Sequence, residues 1–383
     1  MENEKKIRSN VQDMVKGALI IAVIFFHSTL YGNPTSYTEF NIVFCLFPCL
    51  MGVFFFYTGY NYTVGKRKPI ENIKRRTKQL IIPLVIMLFV ATILVGGLQL
   101  LYKQTDLTGI WQSLLQFFYS EGGVALWKPE LPKLNYDLAL SVAILWYLYT
   151  LYIVSVFFYL IVDKVIIKLS RFIPLVSLLV VLSFVLGQFV GPNLPYALQS
   201  WPLILAMMLT GAYLSQKKAL DRPLDNKKSI IIAIVQIVIA EGIIFGLSLL
   251  CYFAFGATTV GALAGGSFNS VIKGFDALVA YVMALFGTIL VHTIMRLLNK
   301  IKIFALFFGC LGKHVALVYV THPIFISYIH TIIFGRNFNV LGWFQPYAYT
   351  ILTLVLFIGI SLLIGMLINK NNKKKTEEVS DDD

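Results

Sequence analysis

Charge is scarce in this sequence. Asp, Glu, Lys and Arg make up 13% of its 383 residues, against ~25% in an ordinary soluble domain, while 58% of the chain is hydrophobic. That shortage excludes a soluble globular enzyme on a single anchor and implies an all-α, polytopic integral membrane fold. Cysteine is sparse too. Cys45, Cys49, Cys251 and Cys310 show no metal-ligand spacing, so no metal is expected and they read as small apolar packing residues. No small-residue cleavage site follows the first apolar stretch, which therefore reads as a retained helix rather than a signal peptide. Neither a soluble domain nor an internal repeat is visible. The chain divides into one integral membrane domain, 1–369, and a charged tail, 370–383, read as disordered.

What the sequence has in quantity is long apolar runs. Those able to cross ~30 Å of hydrocarbon lie at about 17–33, 42–63, 80–102, 139–162, 172–190, 201–215, 229–254, 276–298, 314–334 and 347–369, about ten spans. The stretch 303–313 extends the ninth or forms a separate interfacial piece. Every basic residue except Lys103, Lys128, Lys133, Lys273 and Arg336 falls between alternate spans, so the positive-inside rule puts both termini in the cytoplasm. The net charge of +13 is thereby mostly topology. It faces membrane lipid, and nucleic-acid binding is not expected.

Against this apolar background a few polar residues stand out. Lys16 and His27 are eleven residues apart in the first span, close to three helical turns, and so share one stripe. Lys16 sits at the mouth and His27 roughly 16 Å deeper. A titratable ring at that depth costs several kcal/mol unless it faces protein or water, which makes it a functional candidate. Asp13 lies one turn from Lys16. Between the second and third spans stand seven basic residues, Lys66, Arg67, Lys68, Lys74, Arg75, Arg76 and Lys78. Each feature has a plainer account: a snorkelling lysine, a histidine bonded to a neighbouring carbonyl, a basic anchor for anionic lipid heads. Their conjunction suggests a site for a phosphate-bearing ligand instead. Glu241, central in the seventh span, must be protonated, paired or facing a cavity. With His322 it is a candidate for a polar pocket.

Several segments carry a family resemblance. Asp13-x-x-Lys16-Gly17-x9-His27 resembles the basic-x10-His signature of the type-3 membrane acyltransferases, which O-acylate bacterial surface sugars. Phe54–Tyr60, ending Thr58-Gly59-Tyr60, is similar to that family's aromatic run followed by Ser-Gly-Tyr. The Arg75/Arg76 cluster before Pro83, Leu145-Trp146-Tyr147-Leu148, and Leu311-Gly312-Lys313 followed by Tyr319…His322-Pro323 extend the likeness over nearly the whole chain. The basic residue at 16 is Lys where Arg is commoner, and the family's Arg-x-x-Arg stands here as Arg75-x-x-Lys78. Both changes keep the charge and lose a bidentate fork.

The resemblance implies ten helices in a bacterial plasma membrane and an acyl-CoA donor, acetyl-CoA foremost, taken from the cytoplasm. It implies an acceptor hydroxyl on an extracytoplasmic saccharide or glycan. His27 is then the general base, suited by an imidazole's titration near neutral pH, or the carrier of a transient acyl group. Asp13 joins the catalytic set by orienting basic residues. Lys16, Arg75, Arg76 and Lys78 bind the donor's phosphates, and Trp146 packs against its arm. The competing readings are a transporter or flippase of a lipid-linked saccharide, and a non-catalytic partner of polysaccharide synthesis. A transporter usually shows repeats and paired broken helices.

Overall fold

A computed structural model of the protein describes residues 2–30, 50–101, 103, 105–119, 145–166, 168–189, 200–221, 223–255, 275–329 and 347–359. Among them every regular element is helical. In chain order these are α1 (Glu2–Leu30), α2 (Leu50–Tyr60), α3 (Pro69–Leu101), α4 (Leu107–Tyr119), α5 (Trp146–Val165) and α6 (Leu169–Phe189). Then follow α7 (Trp201–Gln216), α8 (Lys227–Phe255), α9 (Phe275–Leu298), α10 (Lys302–Lys313), α11 (Val315–Tyr328) and α12 (Tyr347–Gly359).

Five of these are long and apolar enough to cross a membrane: α3, α5, the Leu169–Leu186 part of α6, the Lys227–Leu250 part of α8 and the Leu278–Leu298 part of α9. α10 and α11, bent by 79° at His314, make a sixth if taken as one broken span. Their outer ridges carry exposed apolar side chains, including Val85 and Phe89 on α3, Leu178 on α6, and Ile231 and Val238 on α8. The chain is a multi-pass membrane protein. Parts of the other expected spans lie outside the described residues, as do Cys45 and Cys49.

α2 is the hub. Its residues are apolar on every side, and Phe55, Phe56, Tyr57 and Tyr60 are almost wholly buried, as expected of a helix enclosed by others. Contact with α7 is close because two glycines face each other's backbones. A Cβ on Gly59 would overlap the carbonyl of Met208, and one on Gly211 that of Phe56. The same device joins α1 to α10, where Gly17 lies on the carbonyl of Phe308 and Gly312 on that of Asp13. Gly312 therefore fixes Lys313 beside the Asp13–Lys16 turn in the middle of α1.

α3 differs from expectation. The third span was expected from residue 80, with the basic cluster in the preceding loop. The helix instead starts at Pro69, whose missing N–H costs nothing in a first turn. Glu71 complements the N-terminal end of the dipole. Lys74, Arg75, Arg76 and Lys78 thus ride on ordered helix. Pro83 lies inside the same helix, directly after a π-turn at Thr77–Ile81. The wider turn relieves the clash a proline ring makes with the carbonyl four residues back.

Candidate functional site

A cavity of about 800 Å³ opens where the middle of α1, at Asp13 and Lys16, meets α2, α3, α5, α10 and α11. Six cationic side chains line it: Lys16, Lys66, Arg67, Arg75, Arg76 and Lys313. The lining carboxylate, Asp13, accepts a hydrogen bond from Lys16 Nζ at 2.9 Å. Arg76 Nε donates to the Tyr159 hydroxyl at 3.0 Å, which aims the guanidinium from α3 towards α5. Asn61, Asn72 and Gln79 add amides, and Phe54, Tyr57, Tyr147 and Tyr319 form aromatic walls. A pocket with several forked cations and aromatic faces suits a ligand bearing more than one phosphate.

His27 is the second centre. It is 6% exposed, and its Nδ1 lies 2.8 Å from Nε2 of His322 on α11, which is fully buried. The rings are nearly parallel, with centroids 5.0 Å apart. The hydrogen-bond pattern assigns the protons. His322 Nδ1 faces the backbone carbonyls of Tyr319 at 2.7 Å and Val318 at 3.3 Å. A carbonyl can only accept, so Nδ1 of His322 carries the hydrogen. Neutral His322 is then an acceptor at Nε2, His27 donates from Nδ1, and the basic nitrogen of His27 is Nε2. A proton taken up there leaves an imidazolium whose Nδ1–H is held by His322. This is the orienting arrangement that general bases need.

The two centres are neighbours separated by one aromatic layer. His27 does not line the cavity; Tyr319 does, and its ring packs edge-on against His322 at 5.5 Å. Tyr147 lies against Tyr319 at 5.2 Å. Tyr319 thus touches both the cavity and the dyad.

The other candidates fall as follows. Arg75 and Arg76 line the cavity with Lys16, whereas Lys78, one turn on, is outside the lining set. Trp146 is buried behind Tyr147, edge-on at 6.4 Å, and does not reach the cavity itself. Asp13 holds Lys16 and is fourteen residues, roughly 21 Å along the helix, from His27. Glu241 is half-buried midway along α8, away from both centres, and Oε1 of its carboxyl has no hydrogen-bond partner among the described residues. His314 is exposed, with Nδ1 on the Cys310 carbonyl at 3.0 Å.

One cluster was not foreseen. Tyr57 on the cavity wall bonds His292 Nδ1 at 2.9 Å, and His292 Nε2 stands 3.6 Å from Asp221 Oδ1. Tyr60 donates to the other oxygen of Asp221 at 2.8 Å. The available signal was Asp221, an acid within the basic run from Lys217 to Lys228. Among the described residues no group of three or more His, Cys, Asp or Glu is arranged to hold a metal ion.

Comparison with known proteins gives one result. A family model described as an acyltransferase domain matches residues 12–367, nearly the whole chain. No curated protein and no solved structure matches it.

Proposed function

Because the chain belongs to the type-3 acyltransferase family, we propose that it moves an acyl group from cytoplasmic acyl-CoA, acetyl-CoA foremost, to a hydroxyl of an extracytoplasmic saccharide. His27 acts as general base. The observation that carries this reading is the oriented His27–His322 pair set one aromatic layer behind a cation-lined cavity. Coenzyme A bears a diphosphate, a further phosphate on its ribose and a long pantetheine arm. Lys16, Arg75 and Arg76, with Lys66, Arg67 and Lys313 beside them, suit the phosphates. The roughly 16 Å from Lys16 to His27 suits the arm. The acceptor's C–O bond forms as the thioester's C–S bond breaks. The hydroxyl proton goes to His27 Nε2, and the sulfur leaves with the electron pair as thiolate, to be protonated in turn. Asp13 and His322 are positioning residues, one for Lys16 and one for His27.

In this reading both termini are cytoplasmic, ten helices cross the plasma membrane of a bacterium, and the apolar ridges face lipid. The test is mass spectrometry of surface polymers from cells with and without the gene, beside thiol release from acetyl-CoA by membranes from each. Loss of an acyl mark together with the thiol-releasing activity is expected. Unchanged polymers with saccharide export abolished would favour a transporter instead.

A further inference from the structure

The cavity has a direction. Four of its lining residues lie along α5, from Tyr147, Leu148 and Leu151 to Tyr159, a run of twelve residues or roughly 18 Å. Tyr147 packs on Tyr319, the ring that touches His322, so this is the end nearest the dyad. On α3, Arg76 reaches Tyr159 and Thr77 reaches Tyr152, so α3 and α5 run in opposite directions. Asn72, one turn before Arg76, is therefore level with Asp163, one turn after Tyr159. That level is the end of the cavity away from the dyad.

The far end is built differently from the middle. Tyr62 donates from its hydroxyl to Asp163 at 2.8 Å, and its ring rests against Phe158 at 5.3 Å and Tyr159 at 5.9 Å. Phe158 is fully buried, whereas Tyr62 is partly exposed and lines the cavity. An aromatic ring fixed at its tip and backed by other rings is a stacking platform that loses little freedom when a planar group settles on it. Asn72 lines the same cavity, on the α3 stripe that carries Arg75, Arg76 and Gln79. Among the described residues its side-chain amide has no hydrogen-bond partner, whereas Arg76 is held by Tyr159 and Lys16 by Asp13.

We propose that Tyr62 and Asn72 form the base subsite of the donor, with adenine stacked on the Tyr62 ring and its amino edge paired to the Asn72 amide. An amide offers a donor and an acceptor side by side, which matches N7 and the 6-amino group of adenine. The order along the cavity then follows the order of groups in acyl-CoA. The thioester lies towards the dyad, the phosphates at Arg75 and Arg76, and the base beyond them. The proposal rests on the acyl-CoA reading and adds to it the residues that tell one nucleotide from another.

The experiment offers acetyl-CoA, and its analogue with hypoxanthine in place of adenine, to wild type, Asn72→Ala, Tyr62→Phe and Tyr62→Ala. Inside-out membrane vesicles of the native host keep the natural acceptor, and vesicles lacking the protein are the blank. Thiol release gives kcat and KM for each donor. The analogue keeps every phosphate and the purine face and changes only the 6-amino group to a carbonyl. Wild type should favour adenine about tenfold in kcat/KM, the scale of one hydrogen bond, and Asn72→Ala should reduce that preference to about twofold or less. Within one preparation this ratio is independent of how much protein has folded. Tyr62→Ala should raise KM for both donors about tenfold with kcat unchanged, while Tyr62→Phe, which keeps the ring, should stay within about threefold of wild type. Equal use of the two donors by wild type would overturn the subsite and leave acyl transfer standing. So would a preference that survives Asn72→Ala. A Tyr62→Phe change as large as that of Tyr62→Ala would do the same, since the residue would then matter only as a partner of Asp163. A wild type that turns over neither donor overturns the acyl-CoA reading and the subsite with it.

Discussion

His27 and His322 lie 295 residues apart in sequence, and their imidazole nitrogens are 2.8 Å apart. The contact links the last turn of α1 to α11, and the carbonyls of Val318 and Tyr319 dictate which partner donates. If His27 is the base, removing it and removing its support should cost differently. His27→Ala should lower kcat by ~10²–10⁴, the range for a lost general base. His322→Ala, which leaves the base present but loosely held, should lower kcat by less than His27→Ala does. KM for acyl-CoA should stay near wild type in both, since neither ring touches the cations. Equal losses in the two variants would mean that the pair reacts as a unit, and an active His27→Ala enzyme would remove His27 from the chemistry.

Part of this arrangement is legible in the chain. The eleven-residue stripe from Lys16 to His27 needs only helical periodicity, and the charge on Arg75 and Arg76 is evident without a fold. His322 emerged from its motif as a polar residue in an apolar span, but its partner did not. Nothing local in the sequence encodes a contact between α1 and α11. The start of α3 was misplaced because its first turns are charged and resemble a loop, whereas Pro69 and Glu71 are helix-start signals. Tyr319 entered only as part of the motif that ends at His322, with no role of its own. Its place between the cavity and His322 needs the fold to be seen.

The cationic cavity gives a prediction about phosphate. Lys16→Ala and Arg76→Ala should each raise KM for acyl-CoA by about ten- to a hundredfold, the scale of one lost charge-assisted hydrogen bond, with kcat little changed. Arg76→Lys should restore little, because a lysine cannot reproduce the fork that also engages Tyr159. Acyl-dephospho-CoA, which lacks the ribose phosphate, identifies the cation that meets that group. Wild type should prefer the intact donor, and the preference should shrink in one of these variants and persist in the other. Equal KM values for the two donors in wild type would contradict a ribose-phosphate contact.

Gly312 tests how the cavity is assembled. A Cβ at this position would run into the backbone carbonyl of Asp13, which a side-chain adjustment cannot relieve. Gly312→Ala should therefore part α10 from α1, at a cost of roughly 1–3 kcal/mol. Because Asp13 carries Lys16, and Lys313 follows Gly312, KM for the donor should rise along with the loss of thermal stability. Gly242→Ala, where nothing lies within 4 Å of the added carbon, is the control and should change neither. A Gly312→Ala protein with wild-type melting and donor affinity would show that this close approach does not hold the site together.

The cluster of Tyr57, His292, Asp221 and Tyr60 should separate stability from chemistry. It ties α2 and α9 to the segment after α7 through hydrogen bonds of 2.9 and 2.8 Å and an ion-pair distance of 3.6 Å. Among the described residues Asp221 is the group that meets both arms. Asp221→Asn keeps an acceptor for Tyr60 while removing the charge facing His292, whereas Asp221→Ala removes both. The Ala variant should lose about 1–3 kcal/mol and the Asn variant less, read as the order of their thermal midpoints in detergent. Tyr57 shares the cavity wall with Phe54 and Thr58, so loosening it should raise KM for acyl-CoA several-fold. Turnover at saturating donor should persist, because His27 and His322 are bonded on other helices. A loss of kcat as deep as that of His27→Ala, in protein that melts normally, would place this cluster in the reaction itself.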